Sequence, residues 1–234
     1  MDMLKKPLWL LLLWMTTACG KDHVVLLHGL LRSSDSMGKM EKALSAAGYK
    51  VSNIDYPSRK YPIEELAKKV RREIIEVSDD EDTLHFVTHS LGGILVRHIQ
   101  KHEPLDNIGK VVMLAPPNQG SEVVDKLGKW RLFRWINGPA GSQLGTDEEG
   151  FVKSLGPVDF ELGILTGDRS MNFILSLMIP GKDDGKVSVD NAKVEGMDDF
   201  MVVHTCHPYI MKNKTSIYQT VHFLHSGKFD RSKP

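Results

Sequence analysis

Ser90 is the residue of this sequence best placed to act as a nucleophile. It follows the run Phe86-Val87-Thr88-His89 and precedes Leu91-Gly92-Gly93, so a buried strand turns at the serine directly into a helix. A sharp turn of that kind lifts the hydroxyl clear of a sheet and sets it at a helix N-terminus. The backbones come close there, so small residues are needed two positions before and after. Gly92 meets that need on one side, whereas Thr88 stands where the usual pattern G-x-S-x-G has its first glycine. A serine at a helix start can also be no more than a cap; the strand before Ser90 and the helix after it favour the nucleophile. An attacking serine requires two donors aimed at the oxygen that turns negative, and backbone amides supply them without reorganisation. The run Val24-Val25-Leu26-Leu27-His28-Gly29-Leu30 ends a strand in a tight turn. We assign the two amides to Leu30, in that turn, and to Leu91, the residue after the nucleophile. His28 belongs to the same loop and is read as structural rather than as a base.

These groups need a scaffold to hold them. Apolar runs of strand length alternate with amphipathic stretches of helix length, the pattern of βαβ units on a parallel sheet. Strands are expected over 23–27, 49–54, 83–88, 110–115 and 162–166, and helices over 37–47, 63–77, 91–102 and 208–224. In the second of those helices Leu66, Val70, Ile74 and Val77 recur on one face among Lys and Glu residues. The acidic run 79–82 reads as a solvated loop. Between 115 and 162 lie over forty residues with scattered Gly and Pro, too long for an ordinary connection, and a lid-like insertion is expected over about 118–160. It carries Trp130, Phe133, Trp135 and Ile136 interleaved with Lys126, Lys129, Arg131 and Arg134. One reading is a helix packed on the body with its basic edges snorkelling. The other is an apolar cap over an acyl-binding cleft, in contact with a membrane surface.

At 234 residues the chain suits one domain. Thirty basic residues balance thirty acidic ones, which argues against nucleic acid as a partner. Cys19 and Cys206 alone exclude a disulfide framework, and Cys206 is read as a buried thiol. Residues 1–19 have the layout of a secretory leader: Lys5 and Lys6, an apolar run over 7–15, then Thr16, Thr17 and Ala18 before Cys19. The run is too short to span a bilayer. Thr17-Ala18-Cys19-Gly20 resembles a bacterial lipobox, with Thr16 where that box usually has Leu. The expectation is a cell-envelope protein anchored through a lipidated Cys19, with 20–234 as the folded domain. The alternatives are a cleaved, unlipidated leader and a cytoplasmic chain with its start codon placed upstream.

From 23 to 229 the sequence resembles the lipase-type α/β-hydrolases. His28-Gly29-Leu30 and Thr88-His89-Ser90-Leu91-Gly92-Gly93 are similar to the oxyanion and elbow motifs of small bacterial lipases and of the GPI inositol-deacylase group. Ala115-Pro116-Pro117-Asn118-Gln119-Gly120-Ser121 is similar to the turn those lipases place after the next strand, with Asn118 replacing a frequent histidine. Read locally, that segment is a turn in which Ser121 caps the following helix. The resemblance implies the α/β-hydrolase fold, a mostly parallel sheet with helices on both faces. It also implies a serine, acid, histidine triad in that chain order, with no metal or organic cofactor.

Chain order then leaves His204, His207, His222 and His225 as bases, and the last two fall on the closing helix. His207, in the loop before Pro208, is where such proteins present the histidine; His204 is the fallback. Gly181-Lys182-Asp183-Asp184-Gly185-Lys186-Val187-Ser188 is similar to the acid-bearing loop, which assigns the acid to Asp184 over its neighbour Asp183 and over Asp168. The implied activity is cleavage of a small-molecule acyl ester or lipid through an acyl-enzyme, with Trp130, Phe133 and Trp135 in the lid. A different class is a catalytically silent protein of the same fold that binds a lipid or partner at the envelope. Oligomeric state is not legible.

Overall fold

Parallel sheets covered by helices on both faces require strands that are apolar throughout, and the strands of this chain are of that kind. The structure, a computed structural model, describes residues 22–80, 82–171 and 176–233. Its strands are β1 (Asp22–Leu27), β2 (Lys50–Ile54), β3 (Thr83–His89), β4 (Ile108–Leu114), β5 (Leu162–Gly167) and β6 (Asp199–Val203). They pair in the order β2-β1-β3-β4-β5-β6, every pair parallel. Successive side chains along a strand point to opposite faces. Val25, Leu27, Phe86 and Val111 accordingly pack with helices α2 (Ile63–Val77) and α3 (Leu91–His102). Val24, Leu26, Val87 and Val112 pack with α1 (Gly38–Ala46) and α7 (Lys214–Ser226) on the other face.

The chain leaves β1 toward one edge of the sheet to make β2 and returns to its other side for β3, so the strand order reverses between β1 and β3. A crevice opens beyond the carboxyl ends of strands at such a point. Leu27 of β1 is in register with Thr88 of β3, so the turn after β1 and the turn at Ser90 emerge side by side. Fold and chemistry meet at that crevice.

Helices 63–77 and 91–102 have the expected bounds, and four differences are informative. The edge strand β6 was not expected; it carries the apolar run Phe200-Met201-Val202-Val203, yet four of its five residues are partly or fully exposed because it lies at the sheet edge. The closing helix begins at Lys214 rather than at 208, because the Asn213 side chain accepts from the Ser216 amide at 3.1 Å and caps it there; a separate short turn, Ile210–Lys212, precedes it. The acidic run is not simply solvated. Asp82 is buried, 2.9 Å from Lys50 Nζ and 3.2 Å from His23 Nδ1, because β1 stands between β2 and β3 and the starts of all three lie side by side. The insertion folds as α4 (Glu122–Leu127), α5 (Arg131–Ser142) and α6 (Phe151–Ser154). Residues 1–19, including Cys19, lie outside the described residues. No described helix is long and apolar enough to cross a membrane.

Candidate active site

Ser90 has φ 50° and ψ −116°, a conformation L-residues seldom adopt and one that persists only where the surroundings over-determine it. The surroundings do so here. The Ser90 amide donates to the Leu114 carbonyl of β4 at 2.9 Å, and α3 begins at the next residue. A side chain at Gly92 would lie 2.7 Å from the Leu27 carbonyl oxygen and 2.9 Å from its Cβ, so only glycine lets α3 start against β1. Thr88 fills the place of the missing glycine. It is wholly buried, and room for it comes from the third residue after the serine: a Cβ on Gly93 would stand 3.3 Å from Thr88 Oγ1 and 3.0 Å from Met113 Sδ. Although Ser90 occupies the N-cap position of α3, its hydroxyl makes no capping bond. The capping role is therefore not what keeps a serine there.

The Leu30 and Leu91 amides have no acceptor among the described residues. Leu91 is the first residue of α3, whose opening N–H groups have no partner within the helix. Leu31, with φ 62°, turns the chain after Leu30, and the Arg32 amide closes the turn on the Gly29 carbonyl at 3.2 Å. His28 is structural. Its Nδ1 donates to the Gly29 carbonyl at 2.9 Å, its Nε2 accepts from the Tyr56 amide at 3.2 Å, and its ring stacks on Tyr56 with centroids 4.1 Å apart. The Tyr56 hydroxyl donates back to the His28 carbonyl.

The carboxylate and imidazole come from the far side of the sheet. Asp184 is fully buried, and its Oδ2 accepts from His207 Nδ1 at 2.7 Å. Its other oxygen accepts from the Lys186 and Val187 amides at 3.0 and 2.9 Å, which fixes the carboxylate plane. The His207 amide donates to the Asp184 carbonyl at 2.9 Å, so main chain and ring are both tied to one residue. A side chain at Gly167, the last residue of β5, would overlap the Thr205 carbonyl and approach Asp184 Cβ to 3.0 Å. The two loops can converge only over a glycine.

The competing residues are placed elsewhere. Asp168 pairs with His204 at 2.9 Å, and the His204 side chain is 74% exposed. Asp183 accepts from the Ser176 hydroxyl at 2.5 Å and the Gly185 amide at 2.7 Å and so shapes the acid loop. His222 lies on α7, where its Nδ1 donates to the Lys228 carbonyl at 2.8 Å, and His225 is in the last turn of that helix. Cys206 is a buried thiol that burial pushes above its ordinary value.

Ser90 and His207 line one cavity of about 290 Å³, together with Leu30, Val123, Val124, Leu127, Phe133, Ile136, Leu144 and Val187. No hydrogen bond joins the two side chains, and such contacts often tighten only when substrate binds. Of the three aromatic residues expected in the lid, Phe133 faces the cavity, while Trp130 and Trp135 are 64% and 74% exposed and do not line it. Helical spacing is the reason: Phe133, Ile136 and Asn137 share one face of α5 before its break at Gly138, and Trp135 falls on the other.

Three supports went unread in the sequence. His89, beside the nucleophile, donates from Nε2 to the His207 carbonyl at 3.1 Å, its ring centroid 4.9 Å from that of His207. Burial, and after it the charges of His207, Lys186 and Arg32, hold His89 well below the ordinary histidine range. Ser121 does not cap α4 but donates its hydroxyl to the Lys186 carbonyl at 2.7 Å, joining the turn after β4 to the acid loop. Asn118 is buried, donates to the Ala192 carbonyl at 2.9 Å and is clasped by Arg97, whose guanidinium burial pulls down to about 10. A histidine beside a serine and an asparagine in a turn carry no local signal of these contacts. Among the described residues, no group of three His, Cys, Asp or Glu side chains is arranged to hold a metal ion.

No protein-family model matches the chain, and no curated protein matches it in sequence. Solved structures match it in fold. The mature form of the Bacillus licheniformis lipase BlEst2 superposes with a TM-score of 0.68 at 20% identity, over 88% of this chain and 92% of that one. Phospholipase PlaB from Legionella pneumophila gives 0.69 at 17% identity, over 89% of this chain and 60% of that one. YbtT, a type II thioesterase from the yersiniabactin biosynthetic pathway, gives 0.56 at 14% identity, over 93% and 98% of the two chains. Likeness at such identities speaks for the scaffold, and with the sheet order it shows that this chain has the α/β-hydrolase fold.

Proposed function

We propose that the protein is a serine hydrolase of carboxylic esters, acting on acyl or lipid substrates. The observation that carries the reading is the shared cavity: Ser90 and the Asp184-paired His207 face the same apolar space. In the proposed reaction, His207 takes the Ser90 proton at Nε2 as Oγ attacks the ester carbonyl, and the oxygen that turns negative lies against the Leu30 and Leu91 amides. The imidazolium, steadied by Asp184, returns the proton to the departing alcohol, which leaves the acyl group on Ser90. Water, deprotonated by the same histidine, then releases the acid. The walls of the cavity suit an acyl chain, and its volume, at the small end for ligand cavities, suits a short one.

The lipase, phospholipase and thioesterase among the structural neighbours are consistent with this substrate class. Active-site labelling with a fluorophosphonate, together with p-nitrophenyl esters of rising chain length, tests the reading. Labelling of Ser90 and best turnover of short esters is the expected result. No labelling and a flat, inactive panel would instead identify a catalytically silent binding protein of this fold. Attachment to the cell envelope through a lipidated Cys19 is a further part of the proposal. An unmodified Met1 in the mass spectrum of the protein from its native host would remove it.

A further inference from the structure

Two cations without a hydrogen-bonded or ion-paired acidic partner among the described residues stand near Ser90, Lys186 in the lining of its cavity and Arg32 in the lining of the hollow beyond Leu30. Lys186 lines that cavity with Ser90 and His207 and is exposed; its ammonium has no hydrogen bond or ion pair among the described residues. Arg32, also exposed, is carried by the turn that presents the Leu30 amide, and its guanidinium is equally without a partner. The two are close enough to act on each other. Crowding by protein atoms and then the charge of Arg32 push the Lys186 amine down, while Asp184 works the other way. Both also bear on His89, next to the nucleophile.

Neither nearby carboxylate pairs with Arg32 or Lys186. Asp184 gives one oxygen to His207 and the other to two amides. Asp55, which shares the adjoining hollow with Arg32, accepts from the Ser34 amide at 2.8 Å and lies 3.4 Å from His28 Nε2. Two cations without acidic partners leave a positive potential beside the reacting groups. A negative charge on the substrate would offset them.

We propose that Arg32 and Lys186 form a phosphate-binding subsite for the leaving-group half of the substrate. The acyl group then lies in the apolar cavity, and a phosphate on the departing alcohol or thiol is held at its mouth. The pairing suits a phosphate, which a guanidinium can grip with two parallel hydrogen bonds while an ammonium serves as a point charge. The inference rests on the ester-hydrolase reading. Two sources share the chemistry, a glycerophosphate lipid headgroup and a phosphopantetheine thioester.

The test uses the full chain and four substrates: the butyryl esters of glycerol and of glycerol 3-phosphate, and the butyryl thioesters of pantetheine and of phosphopantetheine. The readout is the ratio of kcat/KM for the phosphorylated over the neutral member of each pair. A preference of about tenfold in one pair is expected, carried by KM and falling as salt is raised. Each of Arg32→Gln and Lys186→Gln should lower that ratio about threefold. The glycerol pair responding would identify a lipid headgroup, and the pantetheine pair a carrier thioester. Equal kcat/KM within both pairs, or a preference that survives in the double variant, overturns the subsite and leaves ester hydrolysis standing. Absence of turnover on all four overturns the esterase reading and the subsite with it.

Discussion

Replacing Ser90 by alanine removes one hydroxyl that makes no capping bond, so Ser90→Ala should melt with the parent while losing on the order of 10⁴ or more in kcat. Most of the activity persisting in folded mutant protein would refute Ser90 as nucleophile. Asp184 and Asp168 make a sharper comparison, because each pairs with a late histidine but only the Asp184 partner reaches the Ser90 cavity. Asp184→Asn should lose on the order of 10⁴ in turnover by disturbing the His207 tautomer. Asp168→Asn should stay within a few-fold of the parent, and the reverse ranking in a p-nitrophenyl butyrate assay would move the acid to Asp168. His89 acts through another residue: its Nε2–H holds the His207 carbonyl. His89→Phe keeps a buried ring but loses the donor, so kcat should fall about tenfold with KM little changed. Equal KM and kcat effects, or none, would mean that His89 only fills space.

Elements carry a different kind of consequence. Helix α5 has two faces with different tasks, Phe133 toward the cavity and Trp135 toward solvent. Phe133→Ala should therefore shift the acyl-chain preference, and Trp135→Ala should leave the chain-length profile of soluble esters as it was. A ranked panel of p-nitrophenyl esters distinguishes them, and an equal effect of both changes would make α5 a scaffold rather than a wall. At the opposite end of the sheet, Asp82 joins the starts of three strands through Lys50 and His23. Asp82→Ala removes the buried carboxylate between them, leaving Lys50 only Asp79 and His23 only Ser52, and a loss of about 1–3 kcal/mol in urea unfolding is expected. A midpoint equal to that of the parent would show the network to be dispensable.

At the scale of the whole molecule, buried histidines set the response to acid. His23, His28, His85, His89 and His98 all lie below their ordinary value of 6.5, in each case chiefly through burial. The unfolded chain takes up these protons more readily than the folded one, so stability falls wherever they begin to bind. It should be full above about pH 6.5 and decline progressively below that value, as the pH approaches the lowered folded ones. Each full unit of depression is worth about 1.4 kcal/mol. A fall in Tm of roughly 5 °C or more between pH 8 and pH 5 is therefore expected. A Tm that held or rose over that interval would contradict the burial of these rings.

What the sequence determined by itself was whatever depends on neighbouring residues. Central strands such as Val24–Leu27 are apolar on both faces, and helix 63–77 repeats its apolar side chains every turn, so both are visible in a short window. The elbow at Ser90 and the turn at Gly29 are likewise local, since each is made by one strand and the residues that follow it. The tertiary structure alone decided which distant groups meet. The resemblance named Asp184 and His207, but they are separated by 23 positions and their contact depends on two loops closing over Gly167. The role of His89 depends on a carbonyl 118 positions away. Helical spacing alone does not tell which face of α5 covers a cavity, and the short apolar run Phe200–Val203 does not by itself tell that it closes the sheet edge as β6. The division follows from chain physics: backbone propensity and hydrophobic period act over a few residues, whereas a side-chain contact between loops exists only once the sheet has set their ends.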